Sequence, residues 1–322
     1  MSFRIGIDLM GGDNAPAEVL LGIRRYLDLQ ADPVSLHLIG DAEMAKAWMQ
    51  TNGLSGETLT LHHTTEVIGM QEHPTRALKE KPHSSIAKGF QLLAGGEIDA
   101  FLSAGNTGAM LVGTLFSIQA LEGVIRPTMG TVMPKLNGTT GLILDVGLNA
   151  DCKPEHLNQF ALMGSVYARH MFDIDNPRVG LLNVGEEEGK GNILAQATYP
   201  LLKQNNSINF IGNIEGRDLM TDKADVIVCE GFTGNILLKM AESLYDMAQQ
   251  TGIEHPFLNR FHFEHYGGTP VLGVRKPVIV GHGISGSLAF CNMIRLANQM
   301  LQTNILGKMA DEIAKADKIS PL

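Results

Sequence analysis

Residues 225–248 read DVIVCEGFTGNILLKMAESLYDMA. The short apolar, β-branched run from Val226 to Cys229 predicts a strand buried on both faces. The chain then breaks through Glu230, Gly231, Phe232, Thr233, Gly234 and Asn235. Beyond the break Ile236, Met240, Leu244 and Met247 recur at helical spacing, with Lys239, Glu242 and Asp246 on the other side. Strand, glycine turn and helix make half of a βαβ unit. In an open parallel sheet, ligands bind at the carboxyl ends of such strands, where helix N-termini present free N–H groups. The structural alternative is a capped turn, with Thr233 or Asn235 as the N-cap.

Working outward, the same alternation runs through the chain. Arg4 to Leu9 reads as a strand, followed by the turn MGGDNAP and a helix starting near Ala15–Pro16. Strands are expected at Ser35 to Ile39 and Thr58 to His62, with a helix at 42–51 between them. HPTRALKEKPHSSIAKGFQLLAGG turns helical towards its end, Asp99 to Ser103 is a strand, and AGNTG leads into the helix AMLVGTLFSIQAL. Met129 to Met133 and Gly141 to Val146 read as neighbouring strands, and a helix follows from Glu155 to about Met171. Val179 to Val184 leads through GEEEGKGN to the helix ILAQATYPLLKQ, and Asn209 to Ile211 leads to GNIEGRD. After Val278 to Val280 come GHGISG, a helix from Ser287 to about Leu301, and a polar tail. No period of 20–50 residues repeats. The pattern predicts a single α/β domain over 1–322, with a mostly parallel sheet and helices on both faces. Only about 250–270 escapes it, an irregular segment rich in Phe and His.

Composition excludes several classes. The 322 residues are 44% hydrophobic and 18% charged, as in a soluble globular chain, and the net charge of −9 argues against a nucleic-acid binder. Cys152, Cys229 and Cys291 lack metal-ligand spacing and read as small buried hydrophobes of a reducing compartment. Asp8 and Gly11–Gly12–Asp13 break the first apolar run too soon for a signal peptide, so the cytoplasm is expected. Asp8, Asp13, Asp145, Asp151 and Glu230 stand in no DxD or HExxH pattern, and no metal is expected.

The predicted strand ends share one kind of turn, small and glycine-rich with an Asn: GGDN at 11–14, GNTG at 105–108, GLN at 147–149, GKGN at 189–192 and GFTGN at 231–235. Glycine lets a backbone approach a ligand closely, and Asn offers a donor and an acceptor without charge. Such turns suit a small anion or a polarised carbonyl. Lys190, set between glycines at a strand end, is placed to neutralise an anion. Gly281, Gly283 and Gly286 form G-x-G-x-x-G, but no strand ending in an acid follows as a dinucleotide site requires. What remains is a helix N-terminus with Ser285 and Ser287, a candidate phosphate holder.

Taken together, IGIDLMGGDNAP, SAGNTGAM, LDVGLNADC, GLLNVGEEEGKGN, GNIEGRD, CEGFTGNILLK, YGGTPVLGV and GHGISG resemble the PlsX family of bacterial phosphate acyltransferases, from about Arg4 to Met300. The resemblance implies a three-layer α/β/α fold similar to isocitrate dehydrogenases and phosphotransacetylases, a homodimer, and no cofactor. It implies transfer of an acyl group from acyl carrier protein to inorganic phosphate, the entry to phospholipid synthesis. Lys190 would hold phosphate or balance developing charge, and Asn235 would donate to the thioester oxyanion. Asp8, Gly11, Gly12, Asp13, Asn106, Thr107, Asn149, Glu230, Gly283 and Ser285 would line the phosphate and acyl crevice. Leu148 and Glu230 depart from the family, which usually has Ala and Asp there. An acidic carrier needs a basic patch, for which Arg76, Lys79, Lys81 and Lys88 are the candidates, against the alternative that the run is a solvated face. The resemblance also implies peripheral contact with the membrane, where a glycerol-phosphate acyltransferase takes the product. Phe257 and Leu258 are the candidate tip, against the alternative that they pack on the body. Other readings are a nicotinamide-dependent dehydrogenase of related fold, a non-catalytic carrier-protein or membrane scaffold, and an acyl-Cys intermediate on Cys152 or Cys229.

Overall fold

The computed structural model describes residues 2–29, 33–56 and 58–319. The chain folds as two compact units, Met1–Gln119 with Phe263–Gln302, and Ala120–His262 with Thr303–Leu322. The first begins with β1 (Arg4–Asp8), α1 (Ala17–Asp28), β2 (Ser35–Gly40), α2 (Ala42–Thr51) and β3 (Leu59–His63). It continues with α3 (Pro74–Glu80), α4 (Ser85–Gly95), β4 (Ala100–Ser103) and α5 (Thr107–Gly113), which runs on as a π-helical turn, Thr114–Ile118. The second holds β5 (Thr128–Pro134), β6 (Thr140–Leu144), α6 (Pro154–Met171), β7 (Arg178–Leu182), α7 (Ile193–Gln204), β8 (Asn209–Ile214), β9 (Val226–Val228), α8 (Gly231–Thr251) and α9 (Pro256–Asn259). The chain then returns to the first unit for β10 (Thr269–Leu272), β11 (Val278–Val280) and α10 (Ser287–Gln302), and ends in the second with α11 (Ile305–Ile319).

In the first unit the strand order is β3-β2-β1-β4-β11-β10, parallel except for β10. Arg4 donates to both oxygens of Asp99, at 2.7 and 3.1 Å, fixing the start of β1 beside the lead into β4. Helix α1 packs on α10 at close range because of Gly22, where a methyl group would meet Phe290 Cβ at 2.5 Å. Helix α4 is bounded as its sequence dictates: Ser84 accepts from Ala87 N–H at one end, and Gly96 takes a left-handed φ of 74° at the other.

In the second unit the order is β5-β6-β9-β7-β8, parallel except for β5. The predicted strand at Val226 is the short β9, buried at all three positions. Helix α6 is buried along most of its length, and α11 packs on it. The predicted polar tail is therefore a helix. Ile305, Met309 and Ile313, at four-residue spacing, are fully buried among its acidic and basic residues. Where β9 and β7 begin, Lys135 is 1% exposed and pairs with Asp225 at 2.6 Å. Arg178 bonds the other oxygen of Asp225 at 2.8 Å and Asp222 at 2.7 Å.

Two further expectations change. Helix α8 begins at Gly231, five residues before the predicted start, and its N-cap is Glu230, in place of Thr233 or Asn235. The predicted helix AMLVGTLFSIQAL is the short α5 and its π-helical extension, ended by Gln119 at φ 67°. In the irregular region, β10 lies antiparallel to β11, where Pro270 is tolerated in the strand next to the first ladder residue.

Candidate functional site

Within the second unit, the turn at 230–235 is the first turn of a helix. Glu230 accepts from the N–H and the hydroxyl of Thr233, and Gly231 N–H donates to Asn149 O at 2.7 Å. Here the glycines serve packing, not backbone freedom. A methyl group on Gly231 would lie 2.7 Å from Asn149 O, and one on Gly234 would lie 2.9 Å from the Asp145 carbonyl carbon. This close seating brings Asn235 to the loop 146–149, where its Nδ2 donates to Val146 O at 3.2 Å while the residue stays solvent-exposed. One N–H and the carbonyl of its amide remain for another partner.

The loop itself hangs from a buried carboxylate. Asp145 accepts from the N–H groups of Gly147, Leu148 and Asn149 at 3.0, 3.0 and 2.8 Å, and from Asn149 Nδ2 at 2.6 Å. Asn149 is buried and also donates to Pro127 O, so it frames the loop and does not face outward. Leu148 joins this arrangement through its backbone N–H.

Lys190 lies on the exposed loop between β7 and α7. Asn183 Nδ2 donates to Lys190 O at 3.0 Å, Lys190 N–H donates to Glu187 O at 3.0 Å, and Asn213 Nδ2 donates to Glu187 O at 2.9 Å. Gly191, at φ 95°, makes the turn into α7, which Asn192 caps. The acidic run before the lysine is matched elsewhere: Glu186 with Lys223 at 2.5 Å and Glu188 with Lys203 at 2.9 Å. Lys190 has no ion pair among the described residues, so its ammonium is open to an anion.

In the first unit the predicted residues separate into a frame and an exposed edge. Asp8 is fully buried, accepting from Ser103 Oγ at 2.6 Å and Met10 N–H at 2.9 Å. Burial raises its pKa and these hydrogen bonds pull it back down. It supports the turn from beneath. Asn106, also buried, caps α5 through Ala109 N–H, and its Nδ2 donates to the carbonyls of Gly69, Met70 and Glu72. Gly11 is pressed against Gly105 N at 2.7 Å for an added Cβ, while Gly12 has φ 107° and faces Gly283 O, which Asp13 N–H also contacts at 2.7 Å. Asp13 and Thr107 are the exposed side chains of the group.

At the α10 N-terminus, where phosphate is expected, two backbone donors already have partners. Glu264 accepts from Gly286 N–H at 2.6 Å, and Glu18 from Ser287 N–H at 2.7 Å. Two carboxylates hold the donors a phosphate would need. Ser285 is buried and donates to His282 O at 2.5 Å. In sequence Glu18 and Glu264 lie 269 and 22 residues from their partners, so no local signal announces them.

The thiols are not available as nucleophiles. Burial, then the nearby Asp145 and Glu230, push Cys152 up to about 12, and burial raises Cys229 well above its ordinary value. Of the basic run, Arg76 pairs with Glu80 at 2.8 Å and Lys81 with Glu72 at 2.6 Å. Lys79 and Lys88 are unmatched among the described residues. Phe257 and Leu258 on α9 are half-buried, with Phe257 edge-on to the buried Phe261 at 5.2 Å. A cavity of about 660 Å³ in this unit, bounded by Asn137, Phe172, Asn176 and Arg178, opens at the opposite ends of the strands. Its cation, Arg178, is already spent on Asp222 and Asp225. Among the described residues no group of three or more His, Cys, Asp or Glu is placed to hold a metal ion, and no helix is long and apolar enough to cross a membrane.

A family model described as "Fatty acid synthesis protein" matches residues 3–255. A phosphate acyltransferase of Thermoanaerobacterium thermosaccharolyticum is 41% identical over 330 residues, covering 96% of each chain. One of Halothermothrix orenii is 40% identical over 332 residues, covering 97% of this chain and 99% of its own. Among solved structures, a phosphotransacetylase from Streptococcus pyogenes has a TM-score of 0.64 at 18% identity, with 94% of each chain covered. The EutD phosphotransacetylase from Staphylococcus aureus has a TM-score of 0.61 at 16% identity, also with 94% of each covered. At these identities the structures share the fold, and the mostly parallel α/β architecture agrees. Sequence identity near 40% over almost the whole length carries more: the chain belongs to the phosphate acyltransferase family and is an acyltransferase.

Proposed function

We propose that this acyltransferase moves a fatty acyl group from the thioester of acyl carrier protein to inorganic phosphate. A phosphate oxygen attacks the thioester carbonyl, the C–S bond breaks, the carrier thiolate leaves and takes a proton from water, and acyl phosphate forms. Phosphate is an oxyanion at neutral pH and a thioester is an activated donor, so the protein needs to position and stabilise charge more than to supply a nucleophile. The observation that carries the reading is Lys190: an exposed ammonium beside the N-terminus of α7, left unmatched in a loop whose Glu186 and Glu188 are paired with other lysines. Lys190 holds the phosphate. Asn235, with one amide N–H spent on Val146, turns the other to the oxyanion. In the first unit, taken by itself, Asp13 and Thr107 are the exposed polar side chains of the candidate set.

The carrier is proposed to dock near Lys79 and Lys88, with Arg76 and Lys81 contributing less because Glu80 and Glu72 already hold them. A homodimer and peripheral membrane contact complete the proposal. They are supported by the exposed apolar stripe Phe232, Ile236, Met240 and Met247 on α8, next to the half-buried Phe257 and Leu258 in sequence. The test is phosphate-dependent release of free carrier thiol from long-chain acyl carrier protein. No release with phosphate, together with thermal protection by NAD, would replace this reading by the dehydrogenase.

A further inference from the structure

The Asp145 carboxylate is fully buried, and among the described residues it forms no ion pair. Every partner is an N–H group: Gly147, Leu148 and, at 3.4 Å, Met129 on Oδ1, and Asn149 twice on Oδ2. Burial raises its pKa, but only the ionised form accepts all of these donors at once. So costly a buried charge, with no ion-pair partner among the described residues, calls for a use beyond holding a turn together.

The peptide plane between Val146 and Gly147 supplies one. It is trans, so the Gly147 N–H and the Val146 C=O point in opposite directions. A carboxylate that draws the N–H inward therefore turns the carbonyl outward, where it accepts from Asn235 Nδ2 at 3.2 Å. That bond decides which end of the Asn235 amide is nitrogen and spends one of its two N–H groups, leaving the second on the exposed side. Gly147, at φ 133°, leaves the room: a methyl group there would lie 3.0 Å from Asn235 Nδ2. The lead into α8 is held to the same strand end by Cys229 Sγ, which donates to Asp145 O at 3.6 Å.

We propose that Asp145 is the positioning residue for Asn235, aiming its free amide N–H at the reacting carbonyl through the Val146–Gly147 peptide. The proposal rests on Asn235 acting as the oxyanion donor. Asp145→Asn keeps the shape but turns one acceptor into a donor facing N–H groups, so the loop must release a bond and the Val146 carbonyl swings. Displacements of this size cost roughly 10²-fold when they move a catalytic donor. The expected result is kcat lowered by roughly 10- to 100-fold, with KM for phosphate within about two-fold of wild type. The decisive comparison is the double variant: Asp145→Asn in an Asn235→Ala background should lower kcat no further than Asn235→Ala alone. A full additional loss there means that Asp145 acts on stability in general, and overturns the proposal. If Asp145→Asn fails to give a cooperative melt, Asn149→Ala, which removes one donor to Asp145 Oδ2, takes its place. Its smaller loss should likewise vanish in the Asn235→Ala background, and its persistence overturns the proposal. Wild-type turnover by Asn235→Ala alone would instead remove the oxyanion reading and the proposal with it, an outcome distinct from an impaired Asn235→Ala with additive losses.

Discussion

Replacing Gly234 with alanine sets two effects against each other. Gly234 is the fourth residue of α8, where alanine in place of glycine favours a helix by about 1 kcal/mol. The added methyl, however, would lie 2.9 Å from the Asp145 carbonyl carbon and 3.0 Å from Cys229 Sγ, with the carbonyl oxygen nearer still. Carbon atoms rest comfortably at about 3.5–4.0 Å, so the carbon contact alone parts helix and loop by about 0.6 Å, and the nearer oxygen demands more. Neither side yields easily, since the contact is with backbone and the Asp145 side chain is anchored by the N–H groups of three successive residues. Overpacking of this kind costs about 1–3 kcal/mol, and a backbone contact belongs at the upper end, leaving a net loss of about 1–2 kcal/mol after the propensity gain. Activity should fall further than stability, because the same movement takes Asn235 Nδ2 from 3.2 Å out of hydrogen-bond range of Val146 O. Gly95→Ala in α4 is the control: its methyl would meet only Glu97 Oε1, at 3.8 Å, so it should melt at or slightly above wild type. Thermal unfolding and carrier release, measured on both variants, check the argument. A Gly234→Ala protein that melts with wild type and turns over normally would refute it.

Cys152→Ala and Cys229→Ala should keep near-wild-type turnover, because burial raises both thiols, and Cys152 at about 12 is ionised in only about one molecule in 10⁴ at pH 8; loss of a trapped acyl-enzyme in either variant would contradict this. Burial alone would raise Asp225, but hydrogen bonds from Arg178 and Lys135 hold it well below the ordinary carboxylate range. A depressed pKa stabilises the fold above the unfolded value and the gain disappears as pH falls towards the folded one. Asp225→Asn should therefore lower stability by about 3 kcal/mol at pH 7, with the gap to wild type narrowing below about pH 4; a pH-independent gap in denaturant titrations would count against it. Phe257→Glu with Leu258→Glu should abolish sedimentation with anionic vesicles while soluble activity persists. Sedimentation like wild type, or unfolding, would instead favour the packing of Phe257 on Phe261.

Most of the alternation of strands and helices was legible from periodicity, because buried strands such as 226–228 are short runs of Val and Ile between turn residues. The C-terminal helix was missed because Ile305, Met309 and Ile313 are diluted by charge, although their spacing was there to be read. The glycine turns misled in an instructive way. GFTGN looks like a flexible loop, yet its glycines are helical and exist so that α8 can touch the loop after β6. No local rule separates a glycine needed for φ from one needed for room. The candidate residues divide for the same reason. Asp8, Asn106, Asn149 and Ser285 stand in motif positions, but whether such a side chain faces a ligand or its own backbone depends on partners remote in sequence, such as the carbonyls of 69–72 for Asn106. Lys190 and Asn235 kept exposed faces.

The central claim is that Lys190 presents phosphate to a carrier-bound thioester. Steady-state release of carrier thiol, followed against phosphate concentration for wild type and Lys190→Ala of equal thermal stability, tests it most directly. Wild type should release thiol in a phosphate-dependent way, and the variant should have a kcat/KM for phosphate about 10²- to 10³-fold lower. Equal kcat/KM for the two proteins would contradict it.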